Sequence, residues 1–309
     1  MEYITLGTRG SELALTQAEM TRAALAATCP ELVVHREIIR TSGDLRPDLQ
    51  LSQFQSGSTK ILDKGIFTKE LEEALRAGTI HAAVHSLKDV PTMLDEGFRI
   101  AAVLPRANVE DVLISRHPGG LDGLPDGALI ATSSVRRARQ LRWLRPDLRI
   151  GDIRGNVPTR IRKVADNPEF DALVLARAGL ERLGLFGRTT TNTPEPLHIS
   201  VLPSYLMLPA ASQGAVGIEI LGDNPELAER LSRINHRDTF HCVTAERHFL
   251  ELLNAGCQTP IGVLSEISGP TLTMKAIVFP DYEGEPIRAE ASGPASDPHE
   301  TAARLFNAL

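Results

Sequence analysis

The chain has 309 residues, of which 42% are apolar and 23% are charged, and its formal net charge is -6. This length suffices for one large or two ordinary globular domains. A mean hydropathy of -0.09 excludes a disordered chain, and the dispersed glycines and prolines exclude a collagen-like one. The acidic balance disfavours a general nucleic-acid binder or a polybasic membrane protein, although it allows a local basic surface.

Cysteine use and hydropathy narrow the class further. No apolar stretch approaches the roughly 20 residues that a membrane helix requires, and no secretory leader is recognisable. The three cysteines, Cys29, Cys242 and Cys257, are widely spaced and form no Cys-x-x-Cys pair. This pattern disfavours a disulfide framework and a zinc site. We therefore expect a cytoplasmic protein without a metal centre.

The first part of the chain alternates short β-rich runs with amphipathic helical patterns. Strands are predicted at 3–8, 32–39, 82–86, 98–104 and 112–115, and helices at about 11–27 and 67–77, the latter closed by Gly78. Such alternation favours an α/β architecture with largely parallel sheets.

A second α/β series follows a turn-rich boundary at 118–123, with strands predicted at 129–132, 149–153 and 172–176. A proline-rich stretch, 193–209, is interpreted as a connection that returns the chain to the first lobe, where 216–220 adds a strand. Two helices, three strands (261–267, 271–279 and 286–292) and a last helix then predict a small α+β domain. The predicted domains are 1–104 with 206–223, then 105–205, and finally 224–309.

Basic residues are concentrated between 133 and 163. This segment holds ten arginines and lysines against two aspartates, a net of +8, which leaves -14 for the remainder of the chain. Nine of the ten are arginine, whose planar guanidinium suits bidentate binding of carboxylate or phosphate.

Two of these arginines stand where a helix is expected to begin. Arg136 and Arg137 follow a predicted strand end at Thr132, and the positive end of a helix dipole opposes cations there. An anionic ligand held by both guanidinium groups, serine hydroxyls and backbone N–H groups would remove this conflict. For Arg139, Arg142 and Arg145, we prefer the simpler interpretation of a solvated helix face.

Three further segments have both a functional and an ordinary interpretation. Arg9 and Ser11 also link a strand to a helix start, where an ordinary cap and a surface arginine explain them equally well. Lys88 and Asp89 follow another strand. They either face the ligand cleft that we expect between the two lobes or simply form a turn. Cys257, in a loop after a helix, is either an attachment point or an incidental thiol.

Taken together and in order, the motifs are specific. They are 9–17 (RGSELALTQ), 64–72 (KGIFTKELE), 85–91 (HSLKDVP), 132–137 (TSSVRR), 154–160 (RGNVPTR), 175–184 (LARAGLERLG), 213–219 (QGAVGIE) and 256–262 (GCQTPIG). From residue 4 to about 280, the chain closely resembles the hydroxymethylbilane synthase (porphobilinogen deaminase) family.

The resemblance implies two α/β lobes similar to periplasmic binding proteins and a small C-terminal α+β domain. It implies a monomeric transferase that joins four porphobilinogen molecules head to tail, releases ammonia at each step, and frees hydroxymethylbilane by hydrolysis. It further implies a dipyrromethane cofactor attached through Cys257, with neither nucleic acid nor a membrane as a partner.

The resemblance also assigns individual residues. Asp89 matches the catalytic carboxylate that assists deamination and stabilises the pyrrole nitrogens as positive charge develops. The matches for substrate and growing-chain carboxylates are Arg9, Ser11, Arg154, Arg160 and Arg182. The matches for the cofactor are Cys257, Lys64, Ser86, Lys88, Asp89, Thr132, Ser134, Arg136, Arg137 and Gly155.

A non-catalytic two-lobed protein that binds or senses a polycarboxylate is the alternative. The two lobes and the arginines alone permit it, whereas the Lys88-Asp89 and Cys257 motifs disfavour it.

Overall fold

The computed structural model describes residues 2–42, 67–187, 196–222, 224–255, 259–280 and 284–309. Its helices are α1 Glu12–Thr28, α2 Lys69–Arg76, α3 Val135–Leu144, α4 Val157–Asp166, α5 Arg177–Arg182, α6 Pro225–Ser232, α7 Arg237–Leu252 and α8 Pro298–Asn307. Its strands are β1 Tyr3–Thr8, β2 Val33–Ile38, β3 Ala82–Ser86, β4 Phe98–Val103, β5 Asp111–Ser115, β6 Leu129–Ala131, β7 Arg149–Gly151, β8 Ala172–Ala176, β9 His198–Leu202, β10 Val216–Leu221, β11 Ile261–Ser268, β12 Thr271–Val278 and β13 Ile287–Pro294.

The chain divides into two compact units and passes between them more than once. The first unit comprises Met1–Ala107 and Gly214–Cys257, and the second comprises Asn108–Gln213 and Gln258–Leu309. Helices α6 and α7 therefore belong with the first unit, whereas β11, β12, β13 and α8 belong with the second. The three-domain division stays a prediction.

The first unit is built on a five-stranded sheet with the order β2-β1-β3-β10-β4. Alternate residues of its strands face opposite sides, as expected for a pleated strand. Ala82 and Val84 join a core formed with α1 and α6, whereas Ala83 joins a core formed with α2. The sheet is thus covered by helices on both faces, which explains the apolar start of β3, Ala82–Val84.

The second unit repeats this topology in the order β7-β6-β8-β5-β9. In both sheets, three parallel strands are followed by one antiparallel strand, β10 in the first and β5 in the second. In each sheet, that strand comes directly after the chain has passed from the other unit. The expectation of largely parallel sheets therefore needs correction to mixed sheets.

The predicted return of the chain to the first sheet is confirmed by β10, which lies between β3 and β4. The proline-rich stretch 193–209 is not only a connection, however. Its residues His198–Leu202 form β9, paired antiparallel with β5 along all five positions. The surrounding prolines obscured a short edge strand, since strand signals are weak where only one side is paired.

The predicted C-terminal strands form a meander in which β11, β12 and β13 are antiparallel neighbours. Helix α8 packs on this sheet. A side chain at Gly293 would clash with the Thr301 hydroxyl, so glycine permits the close approach of helix and strand. Among the described residues, no helix is long and apolar enough to cross a membrane.

Candidate active site

In the first unit, the predicted site residues follow two neighbouring parallel strands. Arg9 and Ser11 come after β1, and Ser86, Lys88 and Asp89 lie at the end of β3 or just beyond it. Because the carboxyl ends of parallel neighbours meet at one edge of a sheet, these residues share that edge.

The loop after β1 is fixed by its own side chains. Ser11 is the N-cap of α1 and accepts a hydrogen bond from the Ala14 N–H at 3.3 Å. The buried hydroxyl of Thr8 donates to the Ala14 carbonyl at 3.1 Å. The Arg9 guanidinium lies 3.9 Å from the centre of the Phe67 ring, within cation–π range. The predicted cap is confirmed, and Arg9 is held on the loop that precedes α2.

The segment after β3 forms a short 3-10 turn, Leu87–Asp89. Ser86 precedes it and is hydrogen-bonded to the side chain of Gln17 on α1, with separations of 2.8 and 3.1 Å. Within the turn, Leu87 is buried, Lys88 is half-buried and Asp89 is exposed. The Asp89 carboxylate therefore stands on a short, anchored piece of backbone and faces solvent.

In the second unit, the predicted residues follow three adjacent parallel strands, β7, β6 and β8. Thr132, Ser134, Arg136 and Arg137 come after β6; Arg154, Gly155 and Arg160 come after β7; Arg182 lies at the end of α5, beyond β8. The sequence separates these groups by up to 50 positions, and the sheet gathers them along one edge.

Hydroxyl groups fix the loop between β6 and α3. Thr132 accepts a hydrogen bond from the Ser134 N–H at 3.2 Å, and Ser134 is the N-cap of α3, accepting from the Arg137 N–H at 3.4 Å. The Ser133 hydroxyl donates to the Ile153 carbonyl at 2.6 Å, which joins this loop to the one after β7. The two loops are thereby held side by side.

Arg136 and Arg137 meet one buried carboxylate. The Asp111 side chain accepts from Arg136 Nη2 at 2.8 Å and from Arg137 Nη2 and Nε at 2.8 and 3.2 Å. Gln213 Nε2 adds a fourth hydrogen bond at 2.9 Å. Burial alone would raise the pKa of Asp111, but the two arginine charges hold that pKa well below its usual range. Asp111 is therefore a buried anion.

The guanidinium groups are anchored on backbone carbonyls as well. Arg136 Nη1 donates to the Leu208 carbonyl at 2.7 Å, and Arg137 Nη1 donates to the Val174 carbonyl at 3.0 Å. Arg136 Nε is buried and has no hydrogen-bond partner among the described residues. One anion thus faces two cations, which leaves a net positive charge at the start of α3.

The loop after β7 depends on a glycine. Gly155 has φ of +117°, and a side chain there would approach Thr159 Cγ2 to 3.0 Å, so only glycine fits without strain. Arg160 Nε donates to the Gly155 carbonyl at 2.6 Å, and Lys163 donates to the Arg154 carbonyl at 3.0 Å. Two basic side chains of α4 thus bind the backbone carbonyls of this loop.

Arg182 and Arg139 are more enclosed than an arginine on a solvated surface. Burial lowers the pKa of Arg182, and the neighbouring Glu181 opposes that shift. Arg139 is buried, donates to the Gly284 carbonyl at 3.2 Å, and lies 4.9 Å from the centre of the Phe279 ring. The prediction of a solvated face at Arg139 was wrong, because the C-terminal meander covers that side of α3.

Family models and curated relatives both name porphobilinogen deaminase. Residues 4–229 match the family model described as porphobilinogen deaminase, dipyromethane cofactor binding domain, and residues 240–309 match that of the porphobilinogen deaminase C-terminal domain. The porphobilinogen deaminase of Syntrophomonas wolfei is 45% identical over 90% of this chain and 85% of that protein. That of Desulforudis audaxviator is 45% identical over 96% of this chain and 90% of that protein.

The chain belongs to the porphobilinogen deaminase family. The expectation of a transferase of this family, with a dipyrromethane cofactor, is thereby confirmed. Among solved structures, the methionine-binding protein MetQ aligns over 82% of this chain and 96% of its own, with 15% identity and a TM-score of 0.43. The BenM effector-binding domain aligns over 75% and 91%, with 16% identity and a TM-score of 0.42.

Two residues that the family resemblance implicates, Lys64 and Cys257, lie outside the described residues. The roles of all the site residues, described or not, stay predictions.

Sequence reasoning missed the residues that support the candidate site of the second unit. Asp111 was left out of its strand, and Gln213 was quoted only as part of a motif. Both adjoin the places where the chain passes between the units, Ala107–Asn108 and Gln213–Gly214. An aspartate next to an apolar run was the available signal, because a charge there requires a buried partner.

We predict that Asp111→Asn lowers the free energy of unfolding by about 3–5 kcal/mol, because two buried guanidinium groups lose their counter-charge. The pKa of Asp111 is lower in the folded protein than in the unfolded chain, where it is about 3.9. Its carboxylate therefore contributes its full stabilisation at pH values above that unfolded pKa. That contribution disappears as pH falls toward the lower folded value. Urea unfolding at pH 7 and at pH 3 to 4 measures the difference between the variant and the unaltered protein.

The matched control is Asp126→Asn, since the Asp126 side chain is fully exposed. It should change stability by less than about 0.5 kcal/mol. Equal stabilities of the two variants at pH 7 would contradict the assignment of Asp111 as a buried anion.

Proposed function

We propose that this chain acts as hydroxymethylbilane synthase, joining four porphobilinogen molecules head to tail with loss of ammonia at each step and hydrolysing the product free. The observation that carries the proposal is the gathering of arginine, serine and threonine donors at one sheet edge of the second unit. This edge belongs to an otherwise acidic chain that matches the family models over residues 4–229 and 240–309. Donors of this kind suit a substrate with several carboxylates.

The described residues fit the dipyrromethane group, which carries carboxylates. Arg136 offers a buried Nε without a hydrogen-bond partner among the described residues, and the start of α3 keeps a net positive charge. The loop at Gly155 leaves no room for a side chain. When bound, this group supplies the pyrrole primer that the growing chain extends.

The family resemblance assigns ten residues to the cofactor. They are Lys64, Ser86, Lys88, Asp89, Thr132, Ser134, Arg136, Arg137 and Gly155, with Cys257 as the point of attachment. Hydroxyls and backbone N–H groups at the start of α3 orient carboxylates, since the N-terminus and the dipole of a helix both favour anions. The arginines supply charge in a fixed geometry because their planes are anchored on Asp111 and on carbonyls.

A second set, Arg9, Ser11, Arg154, Arg160 and Arg182, is assigned to carboxylates of the substrate and the growing chain. Arg9 and Arg160 are already oriented, by the Phe67 ring and by the Gly155 carbonyl. Positioned donors reduce the entropy lost when the substrate binds.

Asp89 is assigned the catalytic role. Loss of ammonia leaves positive charge on the substrate, and a carboxylate fixed beside that charge lowers the barrier to its formation. Asp89 suits this task because its side chain is exposed, while Leu87 and Val90, at the two ends of the turn, are buried. The turn therefore presents the carboxylate without spending substrate-binding energy on ordering it.

A monomeric state, a cytoplasmic location and the absence of nucleic-acid or membrane partners complete the proposal. They rest on the acidic balance of the chain and on the family resemblance.

We predict that the intact mass of the purified protein, expressed where porphobilinogen is available, exceeds the polypeptide mass by two condensed pyrrole units. Cys257→Ser should abolish this addition, because the variant lacks the thiol that forms the thioether. Cys242→Ser is the matched control and should keep the added mass, since Cys242 is buried within α7. A fully loaded Cys257→Ser protein would refute the assignment of that cysteine.

We predict that Asp89→Ala lowers kcat at least about a hundredfold, because no carboxylate then stabilises the developing charge. Turnover of porphobilinogen by the loaded protein is the measurement. Asp126→Ala, which removes an exposed carboxylate elsewhere, should leave the rate within twofold. A non-catalytic binding protein would show no turnover in any of the three proteins, including the unaltered one.

A further inference from the structure

The turn that carries Asp89 is held by a residue to which neither the sequence motifs nor the family match assigns a role. We infer that Arg247, on α7, is a positioning residue that fixes Asp89 by immobilising the backbone immediately after it. This inference rests on the proposed function, in which Asp89 is the catalytic carboxylate.

The upstream side of the turn is anchored by the sheet. The Leu87 N–H donates to the Ala215 carbonyl at 3.1 Å, next to the antiparallel pairing of Ser86 with Val216. Within the turn, the Val90 N–H donates to the Leu87 carbonyl at 3.2 Å. The backbone that enters the turn is therefore continuous with β3. It cannot shift without breaking the hydrogen bonds that join it to Ala215 and β10.

The downstream side has no strand to hold it, and Arg247 takes that place. Its Nη1 donates to the Val90 carbonyl at 3.2 Å, and its Nη2 donates to the Pro91 and Thr92 carbonyls at 2.5 and 2.8 Å. Three consecutive carbonyls thus converge on one guanidinium. Charge-assisted hydrogen bonds of this kind are about twice as strong as neutral ones.

Helix α7 is itself well placed to act as a rigid support. Val243, one helical turn before Arg247, is buried in a cluster with Leu87 and Val90, so the same helix face meets the turn twice. Next to Arg247, Glu246 forms a two-pronged ion pair with Arg106, with separations of 2.7 and 2.9 Å. The helix is therefore fixed over the turn that leads up to the residue that binds the Asp89 turn.

The requirement on Asp89 explains why such a clamp is useful. Its exposed side chain draws little support from packing, so the position of its carboxylate follows from the backbone on either side. A displacement of about 1 Å can cost roughly a hundredfold in rate. Loss of Arg247 should therefore affect the chemical step more than the binding of porphobilinogen, whose carboxylates are assigned to other residues.

The test compares Arg247→Met, Arg247→Lys and Arg237→Met in the cofactor-loaded protein. Methionine keeps much of the side-chain length and removes every donor, whereas lysine keeps the charge but has no planar fork. Arg237 is exposed at the start of the same helix and is the matched control. Each protein is measured for kcat, for KM with porphobilinogen, and for Tm, and cofactor loading is verified by intact mass.

We expect kcat to fall at least tenfold in Arg247→Met, with KM changed less than threefold, and to recover partly in Arg247→Lys. Arg237→Met should match the unaltered protein. The change should also be non-additive with Asp89→Glu, because the clamp acts only through Asp89. Arg247→Met kinetics equal to those of Arg237→Met, or full additivity with Asp89→Glu, would overturn the inference.

A lowered Tm with unchanged kcat below that temperature would likewise overturn it, since it would show a purely structural role. Failure of the proposed function is distinguishable, because the loaded, unaltered protein would then not turn over porphobilinogen at all.

Discussion

The second unit depends on one buried carboxylate that satisfies two buried guanidinium groups. Asp111 is fully buried, and without Arg136 and Arg137 its charge would have to be given up. Gln213 joins the same carboxylate, so the segments at which the chain enters and leaves this unit are bound to one ion. The interaction sets the start of α3 and the direction of both arginines, and with them one part of the proposed carboxylate-binding edge.

This network refines what the net charge means. A segment of +8 within an acidic chain indicates a local concentration of cations. In the structure, Arg136 and Arg137 share Asp111, Arg145 pairs with Asp147, and Arg139 lies under the meander. Part of the charge therefore serves to orient other groups, and what remains is a small number of fixed cations. Fixed cations are more selective for carboxylates at set positions than a diffuse basic surface is.

Sequence patterns predicted most strands and helices because they are local and periodic. The loops after β1, β3 and β6 were predicted as site-bearing, since the end of a strand is visible in sequence. The loop after β7 was implicated by the family resemblance alone. Asp111 and Arg247 were not predicted to support the site, because the residues that they bind are distant in sequence. The partners of Asp111 lie 25 to 26 positions away, and those of Arg247 about 155. The strand His198–Leu202 was missed for a related reason, since its pairing with β5 compensates for a sequence that alone reads as a connection.

In the proposed function, Asp111 orients the arginines that hold the cofactor. Its most direct test is the intact mass of Asp111→Asn, purified at a temperature well below its own Tm from cells that supply porphobilinogen. We expect most of the folded variant to lack the two condensed pyrrole units, whereas Asp126→Asn carries them in full. Complete loading of folded Asp111→Asn would contradict the claim, because the arginines would then bind the cofactor without the ion that orients them.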